Sequence, residues 1–423
     1  MVPGGSGRAR PFVVAVLSAM LLLTLAPSPA SAGRYMGGEA GTGVPSLHGG
    51  APRVASRSAV RWSDVTGAHA WAREAIDFVA GERRWMRDFR TDGDGRLIFR
   101  PDARTKRKHF ARAIVRAFGG AEEPDPRLSF SDLDEGEAYW PFANVAVSNG
   151  WIRVGADDAF GPNEPVTMTE VHRALALARG LRPAVRGLDR IRTADGTRIR
   201  VPSSFGTTVI GMRMELRYPS QYEDHDVHPW TPMPRSQVAY SLWIAATEVS
   251  DGTVTYLNQQ YDHVELPAMR DRSRTIVEWG ARYAGYPYVW GGEWGLKSRS
   301  PLGGQSIPGF DCSGLVWWLM RRNDGGAWKV TPPRPYRGWS LPERTSATMA
   351  GATRERLKYR ELRPGDLMFY DGSGDGVVDH VDLYVGNGWA LDSSTSQGGV
   401  TLMWVGDGSW YKENFRYGRR IVS

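Results

Sequence analysis

The sequence predicts an α+β protein in which a mainly helical part precedes a domain of helices and strands. Two similar segments with helical periodicity occupy residues 58–182. Further along, the apolar run after Cys312 predicts a helix, and strand-like segments lie on both sides of the turn Gly386-Asn387-Gly388. A composition of 41% hydrophobic and 23% charged residues is ordinary for folded soluble domains and excludes disorder throughout.

The N-terminus has the parts of a secretory leader. Arg8 and Arg10 precede the apolar stretch 12–25, and small residues follow as far as Ala32. We therefore expect residues 1–32 to be a signal peptide that is cleaved after Ala32. The stretch is short for a transmembrane helix, and no later segment has the roughly 20 apolar residues that a span needs. Retention as an uncleaved anchor is the alternative.

Residues 33–57 are rich in Gly, Ser, Ala and Pro, which predicts a flexible linker before the first folded unit. The formal net charge of the chain is +7, and the positive charges are dispersed. This modest excess suits contact with an anionic cell-wall polysaccharide, but a solvated surface without a partner explains it equally well. No basic run indicates nucleic-acid binding.

The chain has a single cysteine, Cys312. Cysteines of secreted proteins normally pair, and one cysteine cannot form a disulfide within its own chain. A lone thiol in an exported protein therefore suggests chemistry. The alternative is an inert cysteine that packs as a small hydrophobe.

An internal repeat covers residues 58–182. Each copy consists of an aromatic-Ser-Asp turn, a helix, a Phe-x-Pro element and a second helix. The matching stretches are Trp62-Ser63-Asp64-Val65 with Phe130-Ser131-Asp132-Leu133, and Phe99-Arg100-Pro101-Asp102 with Phe160-Gly161-Pro162-Asn163.

These segments resemble S-layer homology modules, which anchor exported bacterial proteins to wall polysaccharide. The resemblance implies that a Thr-Arg pair opens the second helix and that its Arg helps to bind the polymer. The corresponding pairs are Thr105-Lys106 and Thr167-Met168, and both threonines are suitable N-caps. Because Met168 carries no charge, the repeats are either polysaccharide-binding or a purely structural spacer.

Three such modules usually form one unit, so a third copy is expected after residue 182. Residues 229–235 could imitate the Phe-x-Pro element and lead into a helix. The alternation within 208–218, however, predicts a strand. Residues 183–265 are therefore interpreted as a degenerate third repeat or a bridging segment.

Four motifs follow in order within residues 270–423. They are Pro287-Tyr288-Val289-Trp290-Gly291-Gly292, Phe310-Asp311-Cys312-Ser313-Gly314-Leu315-Val316, Arg363-Pro364-Gly365-Asp366-Leu367 and Asp379-His380-Val381-Asp382-Leu383-Tyr384-Val385-Gly386-Asn387-Gly388. Together they closely resemble NlpC-like cell-wall cysteine peptidases. The resemblance implies a reduced papain-like fold, with a cysteine helix packed on an antiparallel sheet that bears the histidine. It also implies hydrolysis of amide bonds in peptidoglycan stem peptides, commonly between D-glutamate and the diamino acid.

The residue chemistry is that of a thiol nucleophile and its base. A thiol at a helix N-terminus meets unpaired N–H groups and the positive end of the helix dipole, which favour the thiolate. Cys312 is expected to attack a carbonyl, His380 to carry the proton, and the first backbone N–H groups of the helix to stabilise the oxyanion. This chemistry requires no metal and no cofactor. A histidine that is merely part of the core is the alternative for His380.

Asp392 is predicted to orient His380. Side chains alternate along a strand, so a two-residue turn Asn387-Gly388 would place the two on opposite faces, whereas a three-residue turn from Gly386 would place them together. We predict the longer turn. The same register brings Asp382 to the active face, where the resemblance implies a small residue. Asp382 would then narrow the cleft, favour a cationic substrate group, compete with Asp392, or remain a solvated residue.

The resemblance assigns further substrate contacts around the nucleophile. Tyr288 matches a tyrosine that lines the cleft, and Asp311 and Ser313 match residues that bind the free amino end of the stem peptide. Asp311 is also a suitable helix cap. Residues 293–309 and 321–360 are interpreted as insertions near the cleft.

The leading hypothesis is a secreted, wall-associated peptidoglycan endopeptidase. An amidase or acyltransferase with the same dyad is the second hypothesis, because related chemistry recurs on one fold. A non-catalytic wall-binding protein is the third.

Overall fold

The computed structural model of the chain describes residues 62–218, 227–297, 305, 307–320 and 341–422. The predicted signal peptide and linker lie outside the described residues, as do residues 321–340 of the predicted insertion 321–360. Within the described ranges, no helix has the length and apolar character of a membrane span.

The first part of the described chain is mainly helical, as predicted. A 3₁₀ turn, Gly67–Ala72, leads into α1, which continues as a π turn, Asp77–Glu82. The described helices of this part are α1 Arg73–Ile76, α2 Arg107–Phe118, α3 Trp140–Ser148, α4 Met168–Ala178, α5 Arg182–Leu188, α6 Phe205–Arg213, α7 Arg235–Thr247 and α8 Asp251–Tyr261. Short strands pair β1 Arg90–Thr91 with β2 Leu97–Ile98, and β3 Arg192–Thr193 with β4 Glu265–Leu266.

Three extended segments bond to one another in a closed ring at the centre of this part. The N–H of Thr105 donates to the carbonyl of Met233 at 3.1 Å, that of Met233 to Val166 at 2.8 Å, and that of Val166 to Thr105 at 2.9 Å. Each segment leads directly into a helix, which is α2, α4 or α7. Thr105, Val166 and Met233 are therefore equivalent positions.

This equivalence corrects the predicted helix starts by one residue. The N-cap of α2 is Lys106, not Thr105, which is 1% exposed and belongs to the ring. Thr167 does cap α4, through a capping box with Glu170. The pair that matches Thr167-Met168 is Lys106-Arg107 rather than Thr105-Lys106, and in the third segment it is Pro234-Arg235.

The arginines of these pairs are buried and bound within the fold. Arg107 is 7% exposed, donates to the carbonyl of Phe160 at 2.7 Å, and lies 5.2 Å from the centre of its ring. Arg235 is 1% exposed, donates to the carbonyl of Phe99 at 2.7 Å, and lies 4.4 Å from that ring. Arg235 also forms an ion pair with Asp88. Both guanidinium groups thus hold the Phe-x-Pro element of another segment.

Residues 208–218 do not form the predicted strand. They contain the end of α6, which is buried from Phe205 to Met212. The helix packs against α4 and α5 and against strand residues of the C-terminal domain. A helix that is buried on every side has no polar face, so alternation in its sequence carries no information about its period.

The C-terminal domain combines helices with an antiparallel sheet. Its described helices are α9 Asp271–Ala281, α10 Cys312–Met320, α11 Ser346–Gly351 and α12 Trp410–Glu413, with a 3₁₀ turn at Tyr359–Glu361. Its strands are β5 Glu293–Trp294, β6 Gly309–Phe310, β7 Leu367–Tyr370, β8 His380–Gly386, β9 Trp389–Ser394, β10 Gly399–Trp404 and β11 Phe415–Arg419. β5 pairs with β6, and the other five form a sheet in the order β10-β9-β8-β7-β11. The helix α10 packs on β8 and β9 of this sheet.

The β8–β9 hairpin closes with a two-residue turn and not the predicted three-residue turn. Asn387 and Gly388 both have positive φ, 48° and 81°, as a type I′ turn requires. Gly386 pairs with Trp389.

A bulge in the same hairpin brings Asp392 to the face of the sheet that carries His380. The register shifts by one residue between Tyr384 and Gly386, so that Leu383 pairs with Leu391. Asp382 therefore lies across from Asp392, with His380 on the same face. The predicted arrangement of side chains is right, although its cause is a bulge.

Buried polar contacts join the helical part to the C-terminal domain. Arg217 is 4% exposed and donates to the carbonyl of Val227 at 2.9 Å, to that of Gly285 at 2.8 Å, and to that of Gly398. A ring nitrogen of His228 lies 2.6 Å from the carbonyl oxygen of Pro308. Gly285 and Pro308 flank the first two sequence motifs, so these contacts hold the cleft-forming segments.

A buried histidine makes the helical part sensitive to acid. His172 on α4 is 0% exposed, and burial together with the charge of Arg217 lowers its pKa to about 3. The unfolded chain binds this proton near pH 6.5, but the folded chain does not, so stability falls as the pH drops below 6.5. We expect a loss of about 2 kcal/mol in the free energy of unfolding at pH 5 relative to pH 7 from this residue alone.

Urea unfolding of the native chain and of His172→Leu at pH 7 and pH 5 checks this expectation. The His172→Leu chain should lose about 2 kcal/mol less than the native chain over this interval, while the exposed-residue control His263→Gln should follow the native chain. Equal losses in the native and His172→Leu chains would contradict the assignment.

Candidate active site

Cys312 is the first residue of α10 and is 8% exposed. The residue before it, Asp311, caps the helix: its carbonyl accepts from the N–H of Leu315 at 3.0 Å and its carboxylate from that of Gly314. The thiol therefore lies at the helix N-terminus, where backbone N–H groups have no preceding acceptor in the helix.

Two close contacts fix this helix start against its surroundings. A Cβ atom on Gly314 would lie 1.8 Å from the carbonyl oxygen of Gly292, so only glycine permits this approach. On the other side, the hydroxyl of Ser393 donates to the carbonyl of Phe310 at 2.9 Å. The nucleophile is thus tied both to the Trp-Gly-Gly loop and to strand β9.

His380 begins β8 and contacts two carboxylates through one ring nitrogen. Its Nε2 lies 3.1 Å from Asp382 Oδ1 and 3.0 Å from Asp392 Oδ1. Both aspartates are 0% exposed. The sequence left open whether Asp392 or Asp382 contacts the histidine, and the structure brings both to it.

The two carboxylates differ in their other partners. Asp392 Oδ2 accepts from the hydroxyl of Ser394 at 2.6 Å and from that of Tyr411 at 3.1 Å. Burial opposes its ionisation, but hydrogen bonds from His380 and Ser394 outweigh burial and lower the pKa of Asp392. Asp382 Oδ2 has no such support within the described part of the chain. Burial and the charge of Asp392 raise the pKa of Asp382 to about 7.

His380 is held in its charged form. Burial by itself lowers the pKa of His380, but the charges of Asp382 and Cys312 and the two hydrogen bonds raise this pKa well above its ordinary value. Both aspartates engage Nε2, and neither contacts Nδ1. The structure therefore places an ionised carboxylate, Asp392, against the imidazole of His380, which also interacts electrostatically with Cys312.

Tyr288 belongs to the same cluster. Burial raises the pKa of Tyr288, and the charges of Cys312 and Asp311 raise it further. Its hydroxyl therefore lies within electrostatic range of the thiol, on the side of the helix start.

An arginine that the sequence did not single out holds the segments around the nucleophile. Arg344 donates to Asp311 Oδ1 and Oδ2, both at 3.1 Å, to Ser313 Oγ at 2.9 Å, and to Glu293 Oε2 at 2.5 Å. It also donates to the carbonyl of Gly292 at 3.1 Å. Asp311 and Ser313 are thus already bound to a cation.

The three residues that sequence reasoning missed differ in the signal they offered. Ser394 lies two residues after Asp392, so strand alternation places it on the same face. Arg344 lies in a stretch interpreted as an insertion, and no local pattern connects it with Asp311. Tyr411 lies on α12, far from Asp392 in sequence, and only the fold brings them together.

The model of the NlpC/P60 family matches residues 285–419, a range that contains all four motifs, Cys312, His380 and both aspartates. This part of the chain is an NlpC/P60 domain. Its cysteine helix and antiparallel sheet form the expected papain-like arrangement.

Two curated relatives illustrate the range of proteins that share the NlpC/P60 domain. Peptidoglycan endopeptidase RipB of Mycobacterium tuberculosis (strain ATCC 25618 / H37Rv) is 36% identical over 139 residues, which are 31% of this chain and 49% of that protein. The bifunctional muramidase/DL-endopeptidase CwlT of Bacillus subtilis (strain 168) is 31% identical over 150 residues, which are 35% and 37% of the two chains. This chain spans less than half the length of either relative.

Solved structures include similar domains. The RipB structure is 32% identical and covers 37% of this chain and 69% of that chain, with a TM-score of 0.24. A P60 domain from Mycobacterium avium subspecies paratuberculosis is 30% identical and covers 36% of this chain and 98% of that chain, also with a TM-score of 0.24.

The carboxylate contacts predict a measurable pKa for His380. NMR titration of the imidazoles in the native chain should show one histidine whose pKa lies well above 6.5, and His380→Gln should remove that signal. Asp392→Asn takes one negative charge from Nε2, so the pKa of His380 should fall by about one unit or more. Tyr411→Phe keeps that charge and should shift the pKa much less. An unchanged pKa in Asp392→Asn would contradict the assignment.

Proposed function

We propose that the protein is an exported peptidoglycan endopeptidase that hydrolyses an amide bond of the stem peptide, between D-glutamate and the diamino acid. The observation that carries this proposal is the contact of His380 with Asp392, together with the electrostatic interaction of His380 with Cys312, within an NlpC/P60 domain. The names of the relatives, a peptidoglycan endopeptidase and a DL-endopeptidase, support the substrate class.

Cys312 is the proposed nucleophile. Its thiolate attacks the carbonyl carbon of the scissile amide while His380 carries the proton on Nδ1. The backbone N–H groups at the start of α10 stabilise the oxyanion. His380 then gives the proton to the departing amine, and the thioester that remains on Cys312 is hydrolysed by a water that His380 activates.

Asp392 is the proposed orienting residue. Its ionised carboxylate fixes the imidazole through Nε2 and stabilises the imidazolium, while Ser394 and Tyr411 fix the carboxylate. Asp382 contacts the same nitrogen without such fixation. We therefore assign orientation to Asp392, and Asp382, which is 0% exposed, is a second buried contact of Nε2.

Tyr288, Asp311 and Ser313 are proposed to contact the substrate around the nucleophile. The guanidinium of Arg344 already occupies Asp311 and Ser313. A substrate ammonium would have to share Asp311 with this cation, which weakens its attraction. The arrangement favours stem peptides whose amino end is still in amide linkage over peptides with a free amine.

The helical part is proposed to be three S-layer-homology-like repeats that serve as a structural spacer. Support comes from the ring, in which residues 229–235 occupy the third position. The arginines at the equivalent helix starts are buried and bound to the fold. They are therefore not free to bind a polysaccharide.

Muropeptides of defined structure test the peptidase. The native chain, without residues 1–32, should release two fragments whose masses sum to the substrate plus one water. Cys312→Ala should lower the rate by at least about 10³-fold, because the nucleophile is lost. An amidase would instead release the whole stem peptide, and an acyltransferase would join fragments without water. Equal fragment release by the native chain and Cys312→Ala would refute the assignment.

Wall preparations with and without their polysaccharide test the spacer. The native chain should bind both equally, and Lys106→Ala, which alters an exposed residue at a helix start, should change neither affinity nor stability. Arg235→Ala removes a 1%-exposed cation that pairs with Asp88 and holds Phe99, and it should lower the free energy of unfolding by about 3 kcal/mol. Binding that needs the polysaccharide and is lost in Lys106→Ala would favour the polymer-binding alternative.

A further inference from the structure

We propose that His380, Asp382 and Asp392 form a Zn²⁺ site and that its occupation switches the enzyme off. The switching half rests on the proposed function, whereas metal binding does not. The three side chains each offer a ligand atom, and these atoms lie within 4.8 Å of one another.

The distances suit a small tetrahedral ion. Nε2 of His380 is 3.1 Å from Asp382 Oδ1 and 3.0 Å from Asp392 Oδ1. Zinc bonds of about 2.0 Å place neighbouring ligands of a tetrahedron about 3.3 Å apart. A displacement of a few tenths of an ångström therefore converts hydrogen-bonded neighbours into metal ligands.

The two buried carboxylates of the cluster also favour a divalent cation. Two carboxylates that are 0% exposed face one imidazole. Burying two neighbouring carboxylates is costly unless cations or hydrogen bonds compensate for their charge. A divalent cation bound to two carboxylates and a neutral imidazole leaves no net charge.

One oxygen of the Asp382 carboxylate, Oδ2, is poorly satisfied among the described residues. This oxygen is buried and accepts no hydrogen bond inside the geometric limits from those residues. The hydroxyl of Tyr370 interacts with Asp382 by charge and by a side-chain hydrogen bond, and it also lies 3.4 Å from Met368 Sδ. A carboxylate oxygen in the interior without a hydrogen bond inside the geometric limits is uncommon.

The hydrogen bonds to Asp392 resemble those that orient ligating carboxylates in metal sites. Ser394 and Tyr411 both donate to Asp392 Oδ2, which leaves Oδ1 directed at His380. The ligand set of one nitrogen and two carboxylates suits Zn²⁺, whereas Ca²⁺ and Mg²⁺ require six or more oxygen ligands.

Metal binding at this nitrogen would block proton transfer. The ion displaces the proton from Nε2, and that proton goes to solvent. The remaining proton stays on Nδ1, the nitrogen that carries the proton in the proposed mechanism. His380 then has no free nitrogen with which to accept a proton, so acyl transfer stops while the metal is bound.

The binding half is tested by calorimetric titration of ZnCl₂ into the EDTA-treated Cys312→Ala chain, which lacks the thiol as a competing ligand. We expect one Zn²⁺ per chain, with proton release that depends on the buffer. Asp382→Asn in the same background should weaken binding at least tenfold, and the exposed-residue control Asp407→Asn should not. Thermal melts confirm that each variant is folded, and Asp382→Gly provides a second variant if the first is not. No saturable binding, or equal binding in folded Asp382→Asn and Asp382→Gly, overturns the site.

The switching half is tested on the native chain with muropeptides. Added Zn²⁺ should stop fragment release, and EDTA should restore it. When the activity of each chain is normalised to its own metal-free rate, the half-inhibitory Zn²⁺ concentration should be at least tenfold higher for Asp382→Asn than for the native chain. Zinc binding in a native chain that cleaves no muropeptide would refute the proposed function but not the metal site. Cleavage without zinc binding to Cys312→Ala would refute the metal site alone.

Discussion

The register of the β8–β9 hairpin is the constraint on which the site depends. A shift of one residue turns every side chain of a strand to the opposite face. The bulge between Tyr384 and Gly386 supplies that residue, and it places His380, Asp382 and Asp392 on one face. Without it, Asp392 would face away from the imidazole, whereas Asp382, two residues along the same strand, would stay on the face of His380.

Much of the C-terminal domain could be predicted from local pattern, and the bulge could not. The helix after Cys312 and the strands around Asn387-Gly388 follow from apolar runs and turn chemistry. The bulge depends on tertiary packing: a Cβ atom on Gly386 would lie 2.2 Å from Cδ of Pro267, more than a hundred residues earlier. Arg344 was missed for the same reason, because its partners Asp311 and Glu293 are close only in the folded chain.

In the helical part, the sequence was enough to align the aromatic-Ser-Asp turns but not the helix starts. The two aspartates of the repeated turns make matching contacts, Asp64 with the N–H of Phe99 at 2.9 Å and Asp132 with that of Phe160 at 2.7 Å. Pattern was enough to align these positions. The helix starts were misaligned by one residue because Thr105 and Thr167 look equally suitable as caps, and only the ring of backbone bonds distinguishes them.

Arg217 changes how the two parts of the chain relate in function. Its guanidinium donates to the carbonyl of Val227 in the helical part. It also donates to the carbonyls of Gly285 and Gly398, which lie in loops of the C-terminal domain. One buried guanidinium therefore ties the segments beside the candidate active site to the helical part. Whatever orients the helices on a surface would therefore also orient Cys312.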